Sequence, residues 1–192
     1  MRRIASITVV ALASVVASYA QIPGGNVFLG YSYVHGTIFS QDVLLQPPSR
    51  VANFNGWEAS LEGKFLPFVG VVADVGQSYA SGLFALCGPI ALCSPGQTID
   101  SRILTVMVGA RASVPIGRFT PFAHALFGGA HINNSRAASN TDTSFATAIG
   151  GGIDYKFIKG VAWRFQGDDL HTHFFSAGQH NLRLATGLVL RF

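Results

Sequence analysis

A chain of 192 residues with 11% charged residues, 49% apolar residues and a formal net charge of +4 is short of polar surface for a soluble domain, where about 25% charged residues is usual. The positive charge is no argument for nucleic acid, because removing Arg2 and Arg3 with an N-terminal leader leaves 11 basic residues against 9 acidic ones. Beyond that leader no run is long and apolar enough for a membrane helix, and no Pro/Ser-rich linker divides the chain, so one domain is expected.

The leader comes first in chain order. Arg2 and Arg3 give a positive start, Ile4 to Ala17 is uncharged and mostly apolar, and Ser18-Tyr19-Ala20 puts small residues at the two positions a signal peptidase reads. Cleavage is expected between Ala20 and Gln21, leaving a signal peptide over 1–20 and a mature domain over 21–192. A retained anchor fails on length, since a spanning helix needs about 20 apolar residues and Ser6, Thr8 and Ser14 interrupt this run. No cysteine follows the cleavage point, which argues against a lipoprotein.

Runs of period two follow at Asn26 to Phe39, Asn53 to Phe65, Val69 to Tyr79, Ser101 to Val114, Phe119 to Ile132, Ser144 to Lys156, Val161 to Leu170 and Gln179 to Phe192. They predict eight strands. Proline cannot donate to a strand ladder, and Pro23, Pro47, Pro48, Pro67, Pro89, Pro95 and Pro115 fall between or before the runs, with Pro121 alone inside one near its start. No internal run carries helical periodicity with caps.

The connections alternate in length. Ser40 to Ala52, Ala80 to Asp100 and Asn133 to Thr143 are long, Leu66 to Phe68, Pro115 to Arg118 and Phe157 to Gly160 are short, and His171 to Gly178 is intermediate. Long loops gathered at one end suit a membrane barrel with short periplasmic turns and longer extracellular loops. The expected fold is all-β, an eight-stranded antiparallel transmembrane β-barrel wound as an up-and-down meander.

Parity assigns the faces. In the second run Gly56, Glu58, Ser60, Glu62 and Lys64 share one face, with Asn55, Trp57, Ala59, Leu61 and Phe65 on the other. The last run separates Arg183, Ala185, Gly187 and Arg191 from Leu182, Leu184, Leu188, Leu190 and Phe192. The same rule turns Asp74, Arg111, Asp154, Arg164 and Asp168 inward, so five acids face five bases inside. An eight-stranded barrel is only just wide enough for side chains to fill it, which favours a packed ion-pair network over a water channel.

The stretches Val27-Phe28-Leu29-Gly30-Tyr31-Ser32-Tyr33, Asn55 to Ser60, Pro121 to Gly129, Gly150-Gly151-Gly152-Ile153-Asp154-Tyr155 and the closing Leu188 to Phe192 resemble the outer-membrane β-barrel domain family. Its relatives include the OmpA transmembrane domain, the OmpX type and the opacity-type porins. The resemblance spans the mature chain and implies an outer-membrane location, outer-membrane lipid as surroundings, and delivery by periplasmic chaperones to the barrel-assembly machinery. It also implies that Phe192, with Leu190, Leu188 and Leu184 before it, is the signal that machinery reads, Thr186 being a departure. The chain stops at its eighth strand, so the peptidoglycan-binding domain of the OmpA pattern is not expected.

Candidate chemistry is sparse. Cys87 and Cys93 fall in the longest loop of an exported chain, so a disulfide is favoured over a metal site built from two thiols. His171, His173 and His180 could form a surface metal site, yet no acid or thiolate stands at a convincing spacing and plain rim histidines are the better reading. His124 reads as a polar member of the interior or of an interface. The Gly128-Gly129 and Gly150-Gly151-Gly152 clusters lack the spacing of a phosphate loop and suit strands that bend or pack closely. Trp57, Tyr155, Trp163 and Phe192 are candidates for aromatic girdles. No cofactor motif and no convergent nucleophile and base are found. The expected role is therefore a non-enzymatic surface or envelope barrel, the alternatives being a narrow porin-like pore or a small lipid-modifying barrel enzyme.

Overall fold

The computed structural model describes residues 24–39, 45–46, 49–87, 93–134, 140–174 and 178–192. The leader and its cleavage point lie outside the described residues. The strands are β1 (Gly25–Phe39), β2 (Leu45–Gln46), β3 (Ser49–Lys64), β4 (Val69–Cys87), β5 (Cys93–Ser113), β6 (Phe119–Asn134), β7 (Asn140–Ile158), β8 (Val161–Thr172) and β9 (Gln179–Arg191). β2 is a two-residue strand that adds to the far end of β4 through Leu45↔Leu86 and Gln46↔Ala85. The other eight form a closed barrel.

Each of those eight pairs antiparallel with its sequence neighbours, and β1 closes the ring on β9 over Asn26↔Arg191 to His35↔Leu182. Closure leaves no sheet edge, which membrane burial demands because lipid offers backbone groups no partner. Tight turns join the strands at one end. Ile116 and Phe119 exchange backbone bonds of 2.7 and 3.0 Å around Gly117-Arg118, and Lys159-Gly160 links β7 to β8. Gly117 (φ 63°) and Gly160 (φ 84°) take the left-handed backbone that such turns require.

The strands run further than their alternation. The stretch Ala80 to Asp100, expected as the longest loop, is a hairpin in which β4 and β5 stay paired as far as Cys87↔Cys93, with only 88–92 between them. Tyr79 is the last residue of the period-two pattern there, while backbone pairing continues without it. Pro95, expected between strands, lies inside β5. It is accommodated because the register shifts between Phe84 and Leu86, leaving Pro95 where no ladder bond is needed. β3, β7 and β8 likewise extend into segments expected as loops.

Outer and inner faces alternate along every barrel strand. On β5 and the residue after it, Leu104, Val106, Val108 and Val114 point outward, and on β9 Leu182, Leu184, Leu188 and Leu190 do so, followed by Phe192. Each outward series spans ten residue-to-residue steps, roughly 33 Å along a strand at about 3.3 Å per step, or about 25 Å along the membrane normal at the usual tilt. That is the height of an outer-membrane apolar band. Toward the loop end the outward positions then turn polar at His35, Arg102, His131, His171 and His180. At the turn end the band closes in aromatics, with Tyr155 5.1 Å from Phe119 and 5.2 Å from Phe157 between ring centroids.

Candidate functional site

The inward positions fill the barrel in two tiers. Toward the loop end Val34, Phe54, Ile103, Met107, Leu126, Ile132, Leu170 and Phe174 form an apolar cluster across the lumen. Phe174, just after β8, is buried against it and caps it from the loop side. This plug was not legible in advance, because parity says which side chains point inward but not how far along the axis they meet.

The second tier, toward the turn end, is charged. Glu58, Glu62, Asp74, Arg111, Asp154, Arg164, Asp168 and Arg183 are all buried, while Lys64 and Arg191 are half-buried. Arg183 on β9 sits among three carboxylates: its Nη2 is 2.8 Å from Asp168, its Nη1 3.0 Å from Asp74 and its Nε 3.5 Å from Glu58. Gln166 donates from its amide to both Glu58 (2.8 Å) and Asp168 (2.9 Å), tying two of them together. Arg164 holds Asp154 with two parallel bonds of 2.7 and 3.0 Å, and Arg191 adds a third at 3.0 Å. Arg111 donates to Glu62 at 3.1 Å, and Asn26 donates to the same carboxylate at 2.7 Å.

His124 joins the halves of this tier. Arg111 Nη2 lies 3.2 Å from its Nδ1, and its Nε2 lies 2.7 Å from Asp168. Since a guanidinium only donates, Nδ1 accepts and the Nε2–H is directed at the carboxylate. Glu62, Arg111, His124, Asp168, Arg183 and Asp74 thus form a chain that crosses the barrel from β3 through β5, β6, β8 and β9 to β4. His124, Gln166 and Asn26 were missing from the charge set read from sequence. The signal that finds them is their inward parity, once polar as well as charged residues are scored.

The arrangement packs more than it reacts. The guanidinium carbons of Arg111 and Arg164 lie 4.5 and 4.6 Å from the centroid of Phe122, and Arg164 lies 5.0 Å from that of Phe28. Such stacking, with fork geometry, fixes the orientation of side chains that are costly to leave unpaired in a low-dielectric interior.

Outside the barrel, His171, His173 and His180 do come together. The His171 ring lies 6.2 Å from His173 in parallel and 4.4 Å from His180 edge-on, and His180 bonds Asp169 at 2.9 Å. Among the described residues, no group of three or more His, Cys, Asp or Glu is placed to hold a metal ion. Cys87 and Cys93 stand opposite each other in the backbone register that closes the β4–β5 hairpin. Of the girdle candidates, Tyr155, Trp163 and Phe192 lie toward the turn end, where Trp163 donates to Thr186 at 2.8 Å, and Trp57 lies further along the outer face. Leu184, Leu188, Leu190 and Phe192 are all outward and exposed.

A closed eight-stranded antiparallel meander with a filled interior and an apolar outer band is the fold of the small outer-membrane β-barrels. Among solved structures it is similar to Neisserial surface protein A (NspA), with a TM-score of 0.64 and 11% identity over 88% of this chain and 97% of that one. It is also similar to Ail, the attachment invasion locus protein of Yersinia pestis, with a TM-score of 0.55 and 13% identity over 88% of this chain and 98% of that one. No family model matches the sequence, and no curated protein does. At these identities the likeness is one of fold.

Proposed function

We propose that this chain is exported through a cleaved signal peptide, inserted in the outer membrane by the barrel-assembly machinery, and acts there as a non-enzymatic surface barrel. Its work is envelope integrity or adhesion through the loop end. One observation carries the reading: the lumen is closed by an apolar plug stacked on an ion-pair tier, so the molecule offers its loop end and rim, not its bore, to the outside. Strands that continue past the apolar band raise that end clear of the lipid. The similar fold of Ail, a protein named for attachment and invasion, agrees with such a role.

Three measurements test it. Refolded protein in planar bilayers gives no stable conductance steps, whereas discrete steps of uniform size would favour the porin-like alternative. On intact cells, an epitope tag in 135–139 is reachable and one beside Lys159 is not; labelling at Lys159 would invert the orientation. Replacing 41–44 and 135–139 with Gly/Ser abolishes any adhesion the barrel confers on its host.

A further inference from the structure

The turn-end mouth of the barrel holds a cavity of about 180 Å³ whose walls are more basic than the rest of the interior. Lys64, Arg111, Arg164 and Arg191 line it against Glu62 and Asp154, four cations to two carboxylates. The imbalance has a counterpart deeper in, where Arg183 alone faces Glu58, Asp74 and Asp168. Overall neutrality of the interior therefore hides a local positive excess at the mouth.

That excess comes with unused hydrogen-bonding groups. Arg111 and Arg164 are each 1% exposed, yet Arg111 Nε and Arg164 Nη1 have no partner among the described residues. Their other bonds and the Phe122 ring fix both guanidiniums in place. Among the described residues Lys64 bonds only the neutral Ser113 hydroxyl, at 2.9 Å, which leaves ammonium protons over. Glu62, which also lines the cavity, has an Oε1 without a partner among the described residues. Buried polar groups in native proteins are almost always satisfied, and a set like this marks a bound ion or water.

We propose that this cavity binds a phosphate group that carries a proton. The oxygens of a phosphate accept from Arg111 Nε, Arg164 Nη1 and Lys64, the pairing that guanidinium forks favour. Its P–OH donates to Glu62 Oε1. Sulfate has the same shape and charge but no proton at neutral pH, and a phosphodiester headgroup has none either, so the carboxylate selects against both. A phosphomonoester loses its second proton at about pH 6, so at neutral pH the same carboxylate disfavours it and inorganic phosphate is the ligand the site fits. Arg191 and Phe192 stand at the mouth, where the cavity meets solvent.

The test uses the full mature barrel refolded in a phosphate-free maltoside detergent at pH 7.5. Calorimetric titration with inorganic phosphate gives saturable one-to-one binding, at least 10-fold tighter than sulfate at matched ionic strength. Methyl phosphate in place of phosphate distinguishes a free ion from a monoester, and dihexanoylphosphatidylglycerol tests a lipid source. S113D puts a carboxylate beside Lys64 and abolishes binding, while its strand circular dichroism and heat-modifiable gel migration stay those of the native barrel. K64M weakens binding about 10-fold. Equal affinity for phosphate and sulfate, preference for the lipid, or unchanged binding by folded S113D would overturn the proposal.

Discussion

His124 Nε2 on β6 lies 2.7 Å from Asp168 Oδ1 on β8, both side chains fully buried, although 44 residues separate them in the chain. This bond is the bridge between the Arg111–Glu62 pair and the cluster around Arg183. Replacing His124 with Leu keeps the bulk but orphans Arg111 Nη2 and one oxygen of Asp168. An orphaned buried group costs about 1–3 kcal/mol. The H124L barrel therefore unfolds in urea, in micelles, at a clearly lower midpoint than wild type, and an unchanged midpoint would show that the bridge is dispensable.

Arg183 is the hub of the deeper half of the charged tier, its guanidinium shared by Asp74, Asp168 and Glu58. Removing it leaves three carboxylates facing one another in a dry interior, and breaking a buried pair in this way costs about 3–5 kcal/mol. Arg118, exposed in the β5–β6 turn, is the control, since surface changes usually stay within about 0.5 kcal/mol. R183L loses stability far beyond R118E in denaturant titrations; similar midpoints would argue that the cluster rearranges around water.

The Cys87↔Cys93 register supports the disulfide expected in an exported chain. Protein purified without reductant takes up no alkylating agent until it is unfolded and reduced. Because the bond closes a short loop, reduction costs only about 2 kcal/mol, seen as a small fall in thermal midpoint with the barrel intact. Two thiols alkylated in the native state would remove the bond.

Phe192 follows β9, its backbone exchanging bonds of 3.0 and 3.1 Å with Gly25 and its ring exposed on the lipid side. Truncation to Ala forfeits about 1.5–3 kcal/mol of apolar burial in lipid, while the backbone ladder is kept. Refolding of F192A into detergent is thus near normal. If the residue is read during assembly, its insertion in cells falls much further than that penalty explains. Parallel losses in the two assays would reduce Phe192 to an ordinary side chain.

The sequence by itself determined the architecture. Period-two alternation, scarce charge and prolines at the breaks required strands with one lipid face, and parity alone turned Glu58, Glu62, Asp74, Asp154 and Asp168 to the same side as Arg111, Arg164 and Arg183. It stopped short where the residues do not alternate between apolar and polar, as in Ala80 to Asp100, because pairing there rests on backbone bonds that side-chain pattern does not record. Only the closed barrel decided which charges meet. Closure brings β3, β4 and β8 around the one guanidinium on β9 and sets four cations around the turn-end cavity, because contact across a lumen depends on strand stagger and axial height, and neither is encoded in the order of residues along one strand.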